Sequence, residues 1–190
     1  MSGQNWKETL TTSIVDGPTI TAIGAASCIP TANVITLPPG FFTIGKILKI
    51  KASGRISSVI TTPGTARFDI RLGGTVVFDG LAILLDTVAA HVTVGWMLEL
   101  YLTCRAQGNG ATANLFGQGT WTCEDILGVP ATAPKGVLTA ILPWNTAPAV
   151  GGGFNSTISQ TLDMQFTQTV ATGSMTCHQY TVLSPNAGTN

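Results

Sequence analysis

Residues 93–106 read TVGWMLELYLTCRA, and two kinds of side chain alternate along this stretch. Apolar residues occupy the even positions, whereas Glu99, Tyr101 and Arg105 occupy odd positions. A period of two places successive side chains on opposite faces, which is the geometry of a β-strand. A helix would bring Glu99 and Arg105 among the apolar residues, and a membrane span needs about 20 apolar residues. The stretch therefore predicts one long strand, residues 92–105, with one face in a core.

The same alternation recurs along most of the chain and predicts a series of strands. No stretch shows a convincing apolar stripe with the 3.6-residue period of a helix. Gly73 and Gly74 separate two alternating runs and predict a two-residue hairpin loop. The other predicted strands are residues 34–37, 46–56, 66–72, 75–80, 114–123, 137–142, 161–170 and 174–183. This number of strands in 190 residues predicts an all-β fold, a jelly-roll-like β-sandwich.

The chain divides into two parts by pattern. We expect residues 1–32 to form an extended N-terminal arm, with a short strand near residues 12–15, and residues 33–190 to form a single sandwich domain. The start, MSGQNWKETL, lacks the basic and apolar regions of a signal peptide. The predicted core consists of Leu48, Ile50, Phe68, Ile70, Leu72, Val94, Trp96, Leu98, Leu100, Leu162, Met164 and Phe166.

The amino-acid composition limits the kinds of partner that we expect for this chain. Nine basic and nine acidic residues give a formal net charge of zero, which provides no electrostatic footprint for nucleic acid or an anionic membrane. Only 9% of the residues are charged, so little charge repulsion opposes contact with other copies. The four cysteines lie far apart without a CxxC pair, and we interpret them as small buried apolar residues with free thiols. The composition indicates a subunit that packs against others.

Candidate catalytic and binding residues are few. The two histidines, His91 and His178, do not form the closely spaced pair that a cupin metal site requires, so we expect no metal, no cofactor and no enzymatic activity. Glu99 is the lone carboxylate on its strand face, without the second carboxylate of a glycosidase pair. Glu124 and Asp125 are interpreted as solvated charges at a strand end. No hydrolase, protease or phosphate-binding motif occurs.

The four tryptophans could in principle form a platform for sugar binding. Trp96 lies on the core face of its strand, so we interpret it as a core residue. Trp6 and Trp144 lie in segments predicted to be irregular, and we expect them to contact other subunits.

Four stretches together resemble a family of virion proteins from tailed bacteriophages. They are SGRISSVITTPGTARFDIRLGGTVVFDG (53–80), GWMLELYLTCRAQGNGATANLFGQGTW (95–121), APAVGGGFNST (147–157) and HQYTVL (178–183). The resemblance extends over residues 30–185 and rests on the order of these motifs. The family has no known catalytic residues, so the resemblance implies none in this chain. It implies a β-sandwich subunit that is made in the host bacterial cytoplasm and located in the virion.

Two roles follow from the resemblance. In the first, the chain is a capsid decoration or cement protein, a homotrimer on the head surface that binds the major capsid protein and stabilises the head. In the second, it belongs to the tail or tail tip and binds a host receptor. The expected N-terminal arm favours the first role, because cement proteins often anchor through such arms.

Overall fold

The computed structural model describes residues 6–127 and 137–186, which form strands joined by turns and loops. A single 3₁₀ turn at Thr31–Asn33 is the one helical element among them. The strands are β1 (Trp6–Thr12), β2 (Gly24–Ser27), β3 (Ile35–Leu37), β4 (Ile47–Ser58), β5 (Thr65–Leu72), β6 (Thr75–Asp79), β7 (Ile83–Leu84), β8 (His91–Ala106), β9 (Asn114–Leu127), β10 (Val137–Leu142), β11 (Gln160–Gln168) and β12 (Ser174–Asn186).

These strands form two antiparallel sheets that pack face to face. Sheet A has the order β1-β12-β4-β8-β9-β10. Sheet B has the order β2-β11-β5-β6, with β3 also paired to β11 and β7 to β5. The all-β sandwich predicted from the alternation is confirmed. The narrower jelly-roll arrangement stays a prediction.

Strand β8 lies in the middle of sheet A, paired along its length with β4 and β9. Its even positions from Trp96 to Cys104 are buried, as the alternation predicts. The prediction is wrong for Val92, which is 75% exposed. Thr93 has a φ of 54°, and the pairing register with β4 shifts at this end, so the alternation breaks just before Val94. The core face of the strand therefore begins at Val94.

Aromatic side chains from both sheets meet at the centre of the core. The ring of Phe68 lies 5.0 Å from that of Trp96, 5.1 Å from that of Trp121 and 5.2 Å from that of Phe166. Every predicted core residue is buried, except that Val94 is partly buried against the core. Such tilted and edge-to-face aromatic contacts add to the free energy of burial.

Close packing also explains two glycines in β9. Gly117 lies beneath the ring of Phe78, and Gly119 lies against the backbone of Glu99 and Leu100 in β8, so neither position has room for a Cβ atom. Glycine at these two positions therefore allows β8 and the Phe78 ring to approach β9 closely.

The described part of the expected N-terminal arm is built into the sandwich. Strand β1 pairs with β12 at one edge of sheet A, and β2 pairs with β11 in sheet B. Between them Ile20 is buried and forms a backbone bridge with Met175. Residues 6–33 thus contribute a strand to each sheet, because their backbone groups find partners in the last two strands of the chain.

The four cysteines are buried and unpaired, in agreement with the sequence interpretation. Burial raises the pKa of Cys123 and of Cys177 to about 12. Within the part of the chain that the structure describes, no helix has the length and apolar character needed to cross a membrane.

Candidate functional site

A cluster of two aspartates and a histidine lies at one end of the sandwich. Asp86 belongs to the loop between β7 and β8, His91 begins β8, and Asp125 lies near the end of β9. Asp86 is 1% exposed and Asp125 is fully buried, whereas His91 is half-buried and reaches solvent. The pairing of β8 with β9 brings these residues together, since it places the start of one strand beside the end of the other.

The cluster is held by short polar contacts. Nε2 of His91 lies 3.0 Å from Oδ2 of Asp86 and 3.8 Å from Oδ1 of Asp125. The backbone N–H of Asp86 donates to Oδ1 of Asp125 at 3.0 Å, and Ser58 Oγ donates to Oδ2 at 2.6 Å. These contacts connect β4, the β7–β8 loop, β8 and β9.

Asp86 is ionised at neutral pH. Burial by itself disfavours its charged form, but hydrogen bonds from His91 and from the backbone N–H groups of Val88 and Ala89 outweigh this effect. The pKa of Asp86 therefore lies below its ordinary value. With an ionised carboxylate as the acceptor, Nε2–H of His91 is the donor in their hydrogen bond.

The sequence interpretation of Asp125 as a solvated strand-end charge is wrong. Asp125 continues the inward-facing positions of β9, after Trp121 and Cys123, and its side chain points into the sandwich. The parity of these positions was the signal available in the sequence. The contact of Asp125 with Asp86 and His91 depends on tertiary structure, so no local sequence pattern predicts it.

The arrangement does not resemble a catalytic triad. Ser58 is buried and donates to Asp125 rather than to His91, so these residues do not form the serine–histidine contact of a triad. The arrangement can donate ligands to a cation, because one imidazole nitrogen and one oxygen from each carboxylate lie within 4.8 Å of one another.

A second candidate surface is the outer face of sheet A around Glu99. A shallow depression of about 520 Å³ lies there. Nζ of Lys49 lies 2.7 Å and Nζ of Lys51 3.3 Å from the Glu99 carboxylate, and Tyr101 donates to it at 2.7 Å. The hydrogen bonds from Lys49 and then from Tyr101 lower the pKa of Glu99 to about 2. Glu99 is therefore a fixed anion at neutral pH, which does not suit a general acid.

The edge of sheet A formed by β10 is exposed and apolar. Its sequence, VLTAIL, carries no charge, and Leu138 and Ile141 are 58% and 63% exposed. Met97 of β8 is also exposed and lines a depression of about 290 Å³ together with Leu138. No described strand pairs with the outer side of β10.

The structure places the two tryptophans proposed as contacts in different settings. Trp6 begins β1, and its side chain lies outside the described residues. Trp144 follows β10 in a loop, where its backbone N–H donates to the carbonyl of Gly80 at 3.0 Å. Its side chain is partly buried against the core.

Comparisons with protein-family models, with curated proteins and with solved structures find no match to this chain.

Proposed function

We propose that this chain is a structural subunit of a tailed-bacteriophage virion and that it associates with copies of itself. The resemblance of its ordered motifs to that family of virion proteins suggests the virion. The all-β sandwich is compatible with such a subunit. The observation that carries self-association is the uncharged, exposed edge strand β10.

The two edge strands of sheet A differ in the side chains that they expose to solvent. At the β1 edge, Lys7 and Glu8 are exposed, and charges of this kind oppose pairing with another chain. At the β10 edge, Leu138 and Ile141 are exposed on a strand without charge. An exposed apolar edge strand is a template for association, so β10 fits an interface between copies better than β1 does.

The outer face beside β10 carries hydroxyl groups and ion-paired side chains. Ile141 pairs with Thr120 in the sheet, and Thr120 pairs with Glu99. The carboxylate of Glu99 is paired with both Lys49 and Lys51, which leaves one net positive charge in this group of three. A second copy covering this face would meet threonine hydroxyls and paired charges. This lowers the cost of removing the surface from water.

We place the assembled subunit on the head as a homotrimeric decoration protein that contacts the major capsid protein. Closed symmetry allows every copy to cover the same edge. A location in the tail, with a host receptor as the ligand, is the alternative.

Self-association is tested by placing a charge on the β10 edge. Sedimentation velocity at micromolar concentration should show an oligomer for the unmodified protein and dissociation for Ile141→Lys. The matched control is Ile44→Lys, since Ile44 is 68% exposed but lies in the loop before β4. A monomeric unmodified protein, or an Ile141→Lys oligomer as stable as the control, would overturn the proposed interface.

The virion role is tested separately by immunogold labelling of purified particles of the phage that encodes the chain. Label on the head surface supports decoration, and label on the tail supports the alternative. Particles that lack the chain altogether would exclude both roles, whatever its oligomeric state.

A further inference from the structure

We propose that Asp86, His91 and Asp125 bind one divalent transition-metal cation, of the class of Zn²⁺ or Mn²⁺. The ligand atoms are Nε2 of His91 and one oxygen of each carboxylate, which lie within 4.8 Å of one another. Three protein ligands with a side open to solvent match a common form of such sites, in which water completes the coordination.

The first argument is the charge of the cluster. Both carboxylates are buried, and among the described residues the one cationic group within ion-pair distance of either is His91. A bound cation beside both carboxylates would offset the cost of removing them from water. A divalent cation bound by neutral His91 and two carboxylates would bring the cluster to neutrality.

The second argument is the orientation of the carboxylates. Oδ2 of Asp125 is held by Ser58 at 2.6 Å, and Oδ1 of Asp86 by the backbone N–H of Val88 at 2.7 Å. The other oxygen of each carboxylate faces Nε2 of His91, and that of Asp125 also accepts the backbone N–H of Asp86 at 3.0 Å. Outer hydrogen bonds that fix the free oxygens of ligating groups are typical of metal sites. The cation would take the place of the proton that His91 now donates to Asp86.

The donor set selects the class of cation. An imidazole nitrogen with two carboxylate oxygens suits Zn²⁺ or Mn²⁺, whereas Ca²⁺ and Mg²⁺ prefer shells made of oxygen alone. His91 is half-buried and provides the route from solvent. A bound cation would join the β7–β8 loop to β8 and β9 and so stabilise this end of the sandwich, independently of the role in a virion.

The test is cation-dependent thermal stability of the full chain after dialysis against EDTA. ZnCl2 or MnCl2 at about 100-fold the Kd should raise the Tm by about 5–10 °C, and CaCl2 or MgCl2 at equal concentration should have a smaller effect. Isothermal titration with the same salts should give one ion per chain.

His91→Gln should remove the response while keeping a hydrogen-bond donor beside Asp86. The control is His178→Gln, because His178 pairs with Asp16 at 2.8 Å on the surface, away from the cluster, and this variant should keep the response. Asp86→Asn provides a second variant if His91→Gln does not fold. The proposal is overturned if the unmodified protein shows no Zn²⁺ or Mn²⁺ response, or if the response persists without His91 or disappears without His178.

Discussion

The hydroxyl of Ser58 donates a 2.6 Å hydrogen bond to the carboxylate of Asp125, and both residues are buried between the sheets. Replacing Ser58 by Ala would leave a carboxylate oxygen without a partner where water cannot easily reach it. We expect Ser58→Ala to lower the free energy of unfolding by about 1–3 kcal/mol, measured by urea denaturation.

The control for this variant lies on the same strand. Ser53 donates to Gln179 at 3.1 Å on the exposed face of β4, so Ser53→Ala should change the free energy of unfolding by no more than about 0.5 kcal/mol. An equal loss of unfolding free energy in Ser58→Ala and Ser53→Ala would contradict a special contribution of the buried Asp125 carboxylate.

Neighbouring residues in β8 should differ sharply in their contribution to stability. Leu98 is 2% exposed and faces the core, whereas Met97 is 66% exposed on the outer face. Leu98→Ala should lower the free energy of unfolding by about 2–5 kcal/mol because it leaves a cavity. Met97→Ala should cost well under about 1 kcal/mol in the same urea titration. A similar cost at both positions would argue against the orientation of this strand.

The Glu99 ion pairs make a pH-dependent contribution to stability. The pKa of Glu99 is lowered from 4.5 to about 2, so the folded protein favours the ionised form. The contribution is present above pH 4.5 and is lost as the pH falls through about 2. Because the pair is partly exposed, we expect Glu99→Gln to cost about 0.5–1 kcal/mol at pH 7.

The measurement is urea denaturation of both proteins at several pH values. The difference in unfolding free energy between Glu99→Gln and the unmodified protein should shrink toward pH 2. Glu8→Gln, on the exposed edge strand β1, is the control and should have little effect at neutral pH. A difference that stays constant down to pH 2 would show that the charge of Glu99 does not contribute.

The predictable part of the fold is the part with a local signal. The alternation around Trp96 and Leu98 identified β8, and the Gly73–Gly74 pair identified the hairpin between β5 and β6. Strands β2 and β7 were missed because they are only four and two residues long, and each is defined by pairing with a distant segment. For example, Ile83 pairs with Ala66.

The candidate metal site was missed for a different reason. Asp86 and His91 are five positions apart in a loop and at a strand start, where neither helical nor strand periodicity places side chains together. Asp125 had a usable signal in its inward parity with Cys123, but the presence of its partners depends on the β8–β9 pairing. Residues that meet through tertiary structure alone leave no spacing that can be recognised.

The four cysteine thiols should be inert in the folded protein and free after unfolding. Burial, the largest effect, raises the pKa of Cys123 and of Cys177 to about 12 and also raises those of Cys28 and Cys104. The thiolate is the reactive form, so at pH 8 the folded protein should react with an aromatic disulfide reagent more slowly than glutathione does. In denaturant without reductant, four thiols per chain should react. Finding two or none would reveal disulfides, and fast reaction of the native protein would show that at least one thiol reaches solvent.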